Sequence, residues 1–108
     1  FASDHAGYLK KVKMIKYLSK KYEVMDYGTY NKDSVDYPDY AKKVCHALNN
    51  NEIELGILIC YTGIGMSIAA NKIKGIRCAK VDNTKEAILT REHNNANVIA
   101  LSARKSTL

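Results

Sequence analysis

Apolar and polar positions follow two rhythms along this chain, and the changes between them mark its elements. Between residues 8 and 22, Tyr8, Val12, Ile15, Leu18 and Tyr22 recur at spacings of three and four with lysines between them. That stripe predicts an amphipathic helix. "YEVMDYG", residues 22–28, reads as a short strand closed by Gly28. "NKDSVDYPDY" is a loop, with Pro38 suited to the first turn of the next helix. That helix turns Tyr40 or Ala41, Val44, Ala47 and Leu48 inward and frays at three consecutive asparagines.

"IELGILIC", residues 53–60, is the clearest strand pattern, a near-continuous apolar run. A short helix follows from about Ser67, with Lys72, Lys74 and then Gly75 favouring its end. "IRCAKV" predicts another strand. Asn83 with Glu86 three residues later forms an N-cap pair for a helix over "TKEAILTREH". "NVIALSA" makes the last strand, and "FAS" is the stump of the first.

Strands alternating with helices at this spacing predict right-handed βαβ units. The expected fold is α/β: a three-layer, doubly wound, Rossmann-like domain around a five-stranded parallel sheet. A chain of 108 residues without a linker or repeat reads as one domain. Ligands of such sheets bind outside the carboxyl ends of the strands. The residues to inspect are therefore Asp4, His5 and Gly7, then Gly28 and Thr29, Cys60 to Gly65, Asp82, Ser102 and Arg104. His93 and Asn94, closing the last helix, are expected on that same sheet edge.

Composition narrows the chemistry. With 46% hydrophobic and 26% charged residues the chain is an ordinary globule, and no apolar run approaches the ~18 residues of a membrane span. Three widely spaced cysteines suit neither a disulfide framework nor a zinc site, so a reducing, cytoplasmic setting is expected. The net charge of +6 comes mainly from lysines, many of them in "LKKVKMIKYLSKK". That run reads as a solvated helix face; without aromatic interleaving it does not predict nucleic-acid binding. A positive field does favour small anionic substrates.

"CYTGIG" lacks both the Gly-Lys-Ser/Thr of a P-loop and the order of a dinucleotide fingerprint. It leaves backbone amides at a helix N-terminus, able to hold a developing oxyanion, with a thiol beside them. Thiols in that setting have more thiolate character. Singly, each residue has a plainer reading: Cys60 as packing, His5 and His93 as helix-end residues, Cys45 and Cys78 as core, His46 as solvated. Together, an acid, two imidazoles, a thiol and a row of amides are equipment for moving protons on a small anionic substrate.

"SDHAG", "DYGTY", "SVDYPDYA", "GILICYTGIGMSIAANK", "GIR" and "REHNNANVIAL" together resemble the type B ribose-5-phosphate isomerases. These belong to a larger family that includes galactose-6-phosphate isomerase subunits. The resemblance implies interconversion of D-ribose 5-phosphate and D-ribulose 5-phosphate through a cis-enediolate, with Cys60 as the base between C2 and C1. The amides of Tyr61, Gly63, Ile64 and Gly65, with the Thr62 hydroxyl, correspond to the loop that holds the enediolate oxygen. His93 corresponds to the residue that opens the sugar ring, and Asn94 and Asp4 to contacts with the sugar. His5 and Arg104 match phosphate ligands, and Tyr37 lines the site. No metal or organic cofactor is implied, nor any nucleic acid or membrane partner. The site is expected between two subunits, in a homodimer or dimer of dimers.

A related branch places a glutamate where this chain has Met66, which cannot accept a proton, so the cysteine branch is indicated. Nothing in the residues decides between five-carbon and six-carbon sugars. A non-catalytic phosphosugar-binding module stays open because Tyr61 stands where the family has glycine. Negative φ is expected at Tyr61, with its ring turned to the rim. The family also continues into a long helix with further phosphate-binding arginines. The stretch ending at Leu108, with its shortened first strand, is therefore expected to be part of a longer protein.

Overall fold

The computed structural model describes residues 1–104; the single-domain expectation also covers residues 105–108, which lie outside them. Eight elements follow in order: β1 (Ala2–Ser3), α1 (Tyr8–Leu18), α2 (Tyr37–Asn49), β2 (Gly56–Cys60), α3 (Ile64–Asn71), β3 (Cys78–Lys80), α4 (Thr84–Asn94) and β4 (Val98–Ser102). The strands form one parallel sheet in the order β1-β2-β4-β3. β2 and β4 pair along their full lengths, Gly56 opposite Val98 through Cys60 opposite Ser102.

Alternation along β2 divides the core. Leu58 and Cys60 face one layer, packed with Ala41, Val44 and Cys45 of α2 and Met66 and Ala70 of α3. Ile59 faces the other with Leu101 and Val81, against Met14, Ile15 and Leu18 of α1 and Ala87 of α4. Helices thus cover both faces, as expected. Full burial of Leu58, Ile59 and Leu101 contributes roughly 1.5–3 kcal/mol each. No helix among the described residues is long and apolar enough to cross a membrane.

The expected fifth strand is absent among the described residues, whose sheet has four. The segment before Gly28 does run beside β1, with Tyr27 N–H donating to Phe1 O, Ser3 N–H to Gly28 O and Thr29 N–H to Ser3 O. Ser3 therefore meets two successive residues, and Gly28 takes φ 97°. A regular ladder cannot form across that offset.

The buried side of α1 is also rotated from the expected stripe. Val12 and Tyr22 are exposed, and Lys11 is fully buried instead. Its ammonium donates to Asp26 Oδ1 and to the Thr29 carbonyl, and it lies 5.7 Å and 5.2 Å from the ring centroids of Tyr8 and Tyr30. A charge there is tolerated because both an anion and a carbonyl receive it. The α4 start matches expectation: Asn83 Oδ1 accepts from Glu86 N, and Glu86 Oε1 accepts from Asp82 N.

Candidate active site

β1 sits between the 25–29 segment on one side and β2 on the other, so the chain reverses its winding there. A crevice opens at such a switch point, outside the carboxyl ends of the strands. Asp4 follows β1 and Cys60 ends β2, which sets the two at the same opening.

Cys60 is 5% exposed, and its Sγ accepts a hydrogen bond from Gly63 N at 3.2 Å. The turn that permits this depends on Gly63, whose φ of 80° is left-handed and whose hypothetical Cβ would sit 3.0 Å from the Leu101 carbonyl carbon. Thr62 Oγ1 accepts from Ile64 N at 3.1 Å, so α3 starts at Ile64, earlier than the expected Ser67. Thr62 keeps its hydroxyl proton to donate. The amides of Gly65 and Met66 follow in the first turn of α3, where a helix supplies no internal acceptor. The Met66 side chain is fully buried in the apolar cluster that includes Cys60.

Around this turn stand most of the other expected residues. Asp4 is 7% exposed, and its Oδ1 accepts from Gly7 N. Gly7 packs on Ile59, where a Cβ would meet the carbonyl oxygen at 2.7 Å, and this close fit holds the Asp4 turn against β2. His5 Nδ1 accepts from Val35 N, which places its ring proton on Nε2. Tyr37, in the first turn of α2, lays its ring over Gly65, whose Cβ would lie 2.8 Å from it.

Tyr61 has no positive φ; among the described residues the non-glycine cases are Asn51 and Asn95. The residue is 56% exposed, and its ring centroid lies 5.5 Å from the Arg104 guanidinium carbon. The ring is thus at the rim, as expected.

One expectation fails within a single chain. His93 and Asn94 close α4 at the amino edge of the sheet, where Arg77, just before β3, donates from Nε to Asn94 O at 2.7 Å. Cys60 is at the carboxyl edge, a five-residue strand away, or about 16 Å. The expectation failed because a helix following a strand runs antiparallel to it and returns its C-terminus to the opposite edge. Two concavities, about 340 Å³ around Thr90 and Asn94 and about 630 Å³ around Arg77 and Arg91, open on that amino edge.

Cys45 and Cys78 behave as packing residues. Burial pushes the Cys45 thiol up to about 11 and the Cys78 thiol up to about 12, the latter with a further push from Cys45 against a hydrogen bond from Ser67. Sequence reasoning missed Lys10, whose ammonium donates to the Ser102 carbonyl at 2.8 Å at the carboxyl edge. Burial lowers its pKa, and Asp82 opposes this. Inside a lysine run nothing distinguishes it. Among the described residues no three His, Cys, Asp or Glu side chains cluster as a metal site.

Fold and edge together define a doubly wound α/β protein with a thiol-bearing site at its switch point. The chain belongs to the ribose/galactose isomerase family, whose model matches residues 1–108. It is 43% identical over 105 residues to ribose-5-phosphate isomerase B of Escherichia coli, covering 96% of this chain and 70% of that protein. A solved ribose-5-phosphate isomerase B of Clostridium thermocellum superposes with a TM-score of 0.95 at 49% identity, covering 99% of this chain and 73% of that one. The enzyme of Mycoplasma genitalium with bound ribulose-5-phosphate gives 0.89 at 45% identity, covering 98% and 72%.

Proposed function

We propose that this chain is a single aldose–ketose isomerase domain interconverting D-ribose 5-phosphate and D-ribulose 5-phosphate. The observation that carries the reading is the likeness to a relative with bound ribulose-5-phosphate, at 45% identity over 98% of this chain. Cys60, as thiolate, takes the C2 proton of the open-chain aldose and the thiol returns a proton to C1. Meanwhile a proton passes from O2 to O1, so atoms and charge balance. Negative charge on the enediolate oxygen is received by amides of the loop from Tyr61 to Gly65 and by the Thr62 hydroxyl. Asp4 and Asn94 hold sugar hydroxyls, Tyr37 walls the site, and His5 and Arg104 hold the phosphate. His93 opens the furanose ring.

The placement of His93 and Asn94 on the amino edge supports a site shared between two copies, one giving Cys60 and the other His93. A homodimer or a dimer of dimers is the assembly this reading calls for. The free thiols support a reducing, cytoplasmic setting.

The test is subunit mixing. Cys60→Ser and His93→Asn are each purified, then unfolded together and refolded, and ribose 5-phosphate turnover is measured. Random pairing makes half the dimers mixed, each with one intact site, so about a quarter of wild-type activity returns. No recovery refutes the shared site. Near-normal turnover by Cys60→Ser alone refutes the thiol as base.

A further inference from the structure

We propose that Tyr61 is a positioning residue for Arg104: its ring is the shelf that holds the guanidinium at the mouth of the Cys60 turn, ready for the substrate's phosphate. The inference rests on the sugar-phosphate reading above and assigns a task to a side chain that reading leaves without one.

Two loops meet here, one leaving β2 and one leaving β4. Ser102 Oγ donates to the Tyr61 carbonyl at 2.9 Å and accepts from Arg104 N at 3.0 Å. Arg104 N–H also points to the Tyr61 carbonyl at 3.3 Å. These bonds fix the two backbones to each other. The side chains then meet outside them, with the guanidinium carbon 5.5 Å from the ring centroid.

A planar cation resting on a ring face keeps its edge N–H groups clear, and those edges are what grip a phosphate in a fork. An unsupported arginine at a loop end must give up rotamer freedom when an anion binds. A shelf removes part of that cost in advance. Because Tyr61 directly follows Cys60, the shelf is also carried by the turn that bears the reacting thiol. Phosphate grip and proton transfer are thereby held in one frame. Glycine at this position provides no ring.

Calorimetric titration with ribose 5-phosphate and with inorganic phosphate tests this on Cys60→Ser protein, which binds without turnover. Tyr61→Leu is expected to weaken both ligands by the same factor, about two- to five-fold, and Tyr61→Phe to restore both. In an Arg104→Ala background, Tyr61→Leu should add nothing. In the active enzyme the Tyr61→Leu loss should fall on KM rather than kcat. Additive losses in the double variant, an unchanged inorganic phosphate affinity, or failure of Tyr61→Phe to rescue would each overturn the shelf. No binding of ribose 5-phosphate in any background would sink the sugar-phosphate reading and the shelf with it. Binding without coupling would sink the shelf alone.

Discussion

Replacing Lys11 by methionine keeps the side-chain volume and removes only the buried ammonium. Two acceptors then lose their donor. The Thr29 carbonyl belongs to a residue 4% exposed, so water cannot replace the lost bond, at a cost of about 1–3 kcal/mol. The Asp26 side chain is 35% exposed and still accepts from Gly28 N, so it rehydrates and adds about 1 kcal/mol at most. Methionine packs against the rings of Tyr8 and Tyr30 about as well as the cation did, so these contacts roughly cancel. The expected loss is about 1–4 kcal/mol. Urea unfolding followed by far-ultraviolet circular dichroism reads it as a midpoint lower by about 1–2 M. Lys16→Met, on the exposed side of α1, is the control and should stay within about 0.5 kcal/mol of wild type. If Lys11→Met unfolds where the control does, the buried ammonium is not what ties the 26–30 loop to α1.

Other outcomes follow from the same geometry. His93→Asn should slow the reaction of cyclic ribose 5-phosphate far more than that of ribulose 5-phosphate, which forms no such ring; equal losses would assign it another task. Gly65→Ala is allowed by its backbone but presses on the Tyr37 ring, so KM should rise about three- to ten-fold while the urea midpoint holds or improves; an unchanged KM would remove Tyr37 from the site wall. Asn83→Ala should cost about 1 kcal/mol through the lost cap on α4, read from the same unfolding curves. The Cys45 and Cys78 thiols are raised from 9.0 to about 11 and about 12, so the native state holds those protons longer than the unfolded chain. Their contribution to stability is whole below pH 9.0 and lost as pH rises through the raised values; unfolding midpoints in Cys45→Ser should show a weaker alkaline decline than wild type.

The layered fold was legible because β2 and β4 are short apolar runs set between periodic segments, and burial on both faces leaves no other reading of them. The turn after Cys60 was legible too, since glycines at positions 63 and 65 serve a left-handed corner and a close ring contact. Lys11 was not. In sequence it is one lysine in a run, and only the tertiary position of Asp26 and the Thr29 carbonyl selects it for burial. The 22–28 segment has strand composition, yet its pairing depends on the offset around Ser3 and Gly28, which no local pattern records. His93 was not legible for a simpler reason: residue type carries no record of the direction of α4, which returns its C-terminus to the amino edge.

Under the proposed sharing of the site between two copies, the separation of Cys60 from His93 by the height of the sheet makes turnover a matter of mass action. A lone chain carries both residues, but at opposite edges of its sheet, so on that proposal it assembles no complete site. Dilution below the dissociation constant should therefore lower specific activity in proportion to protein concentration, while the circular dichroism of the individual fold changes little. An enzyme built this way reports its own abundance: below a threshold of expression it is present, intact and silent.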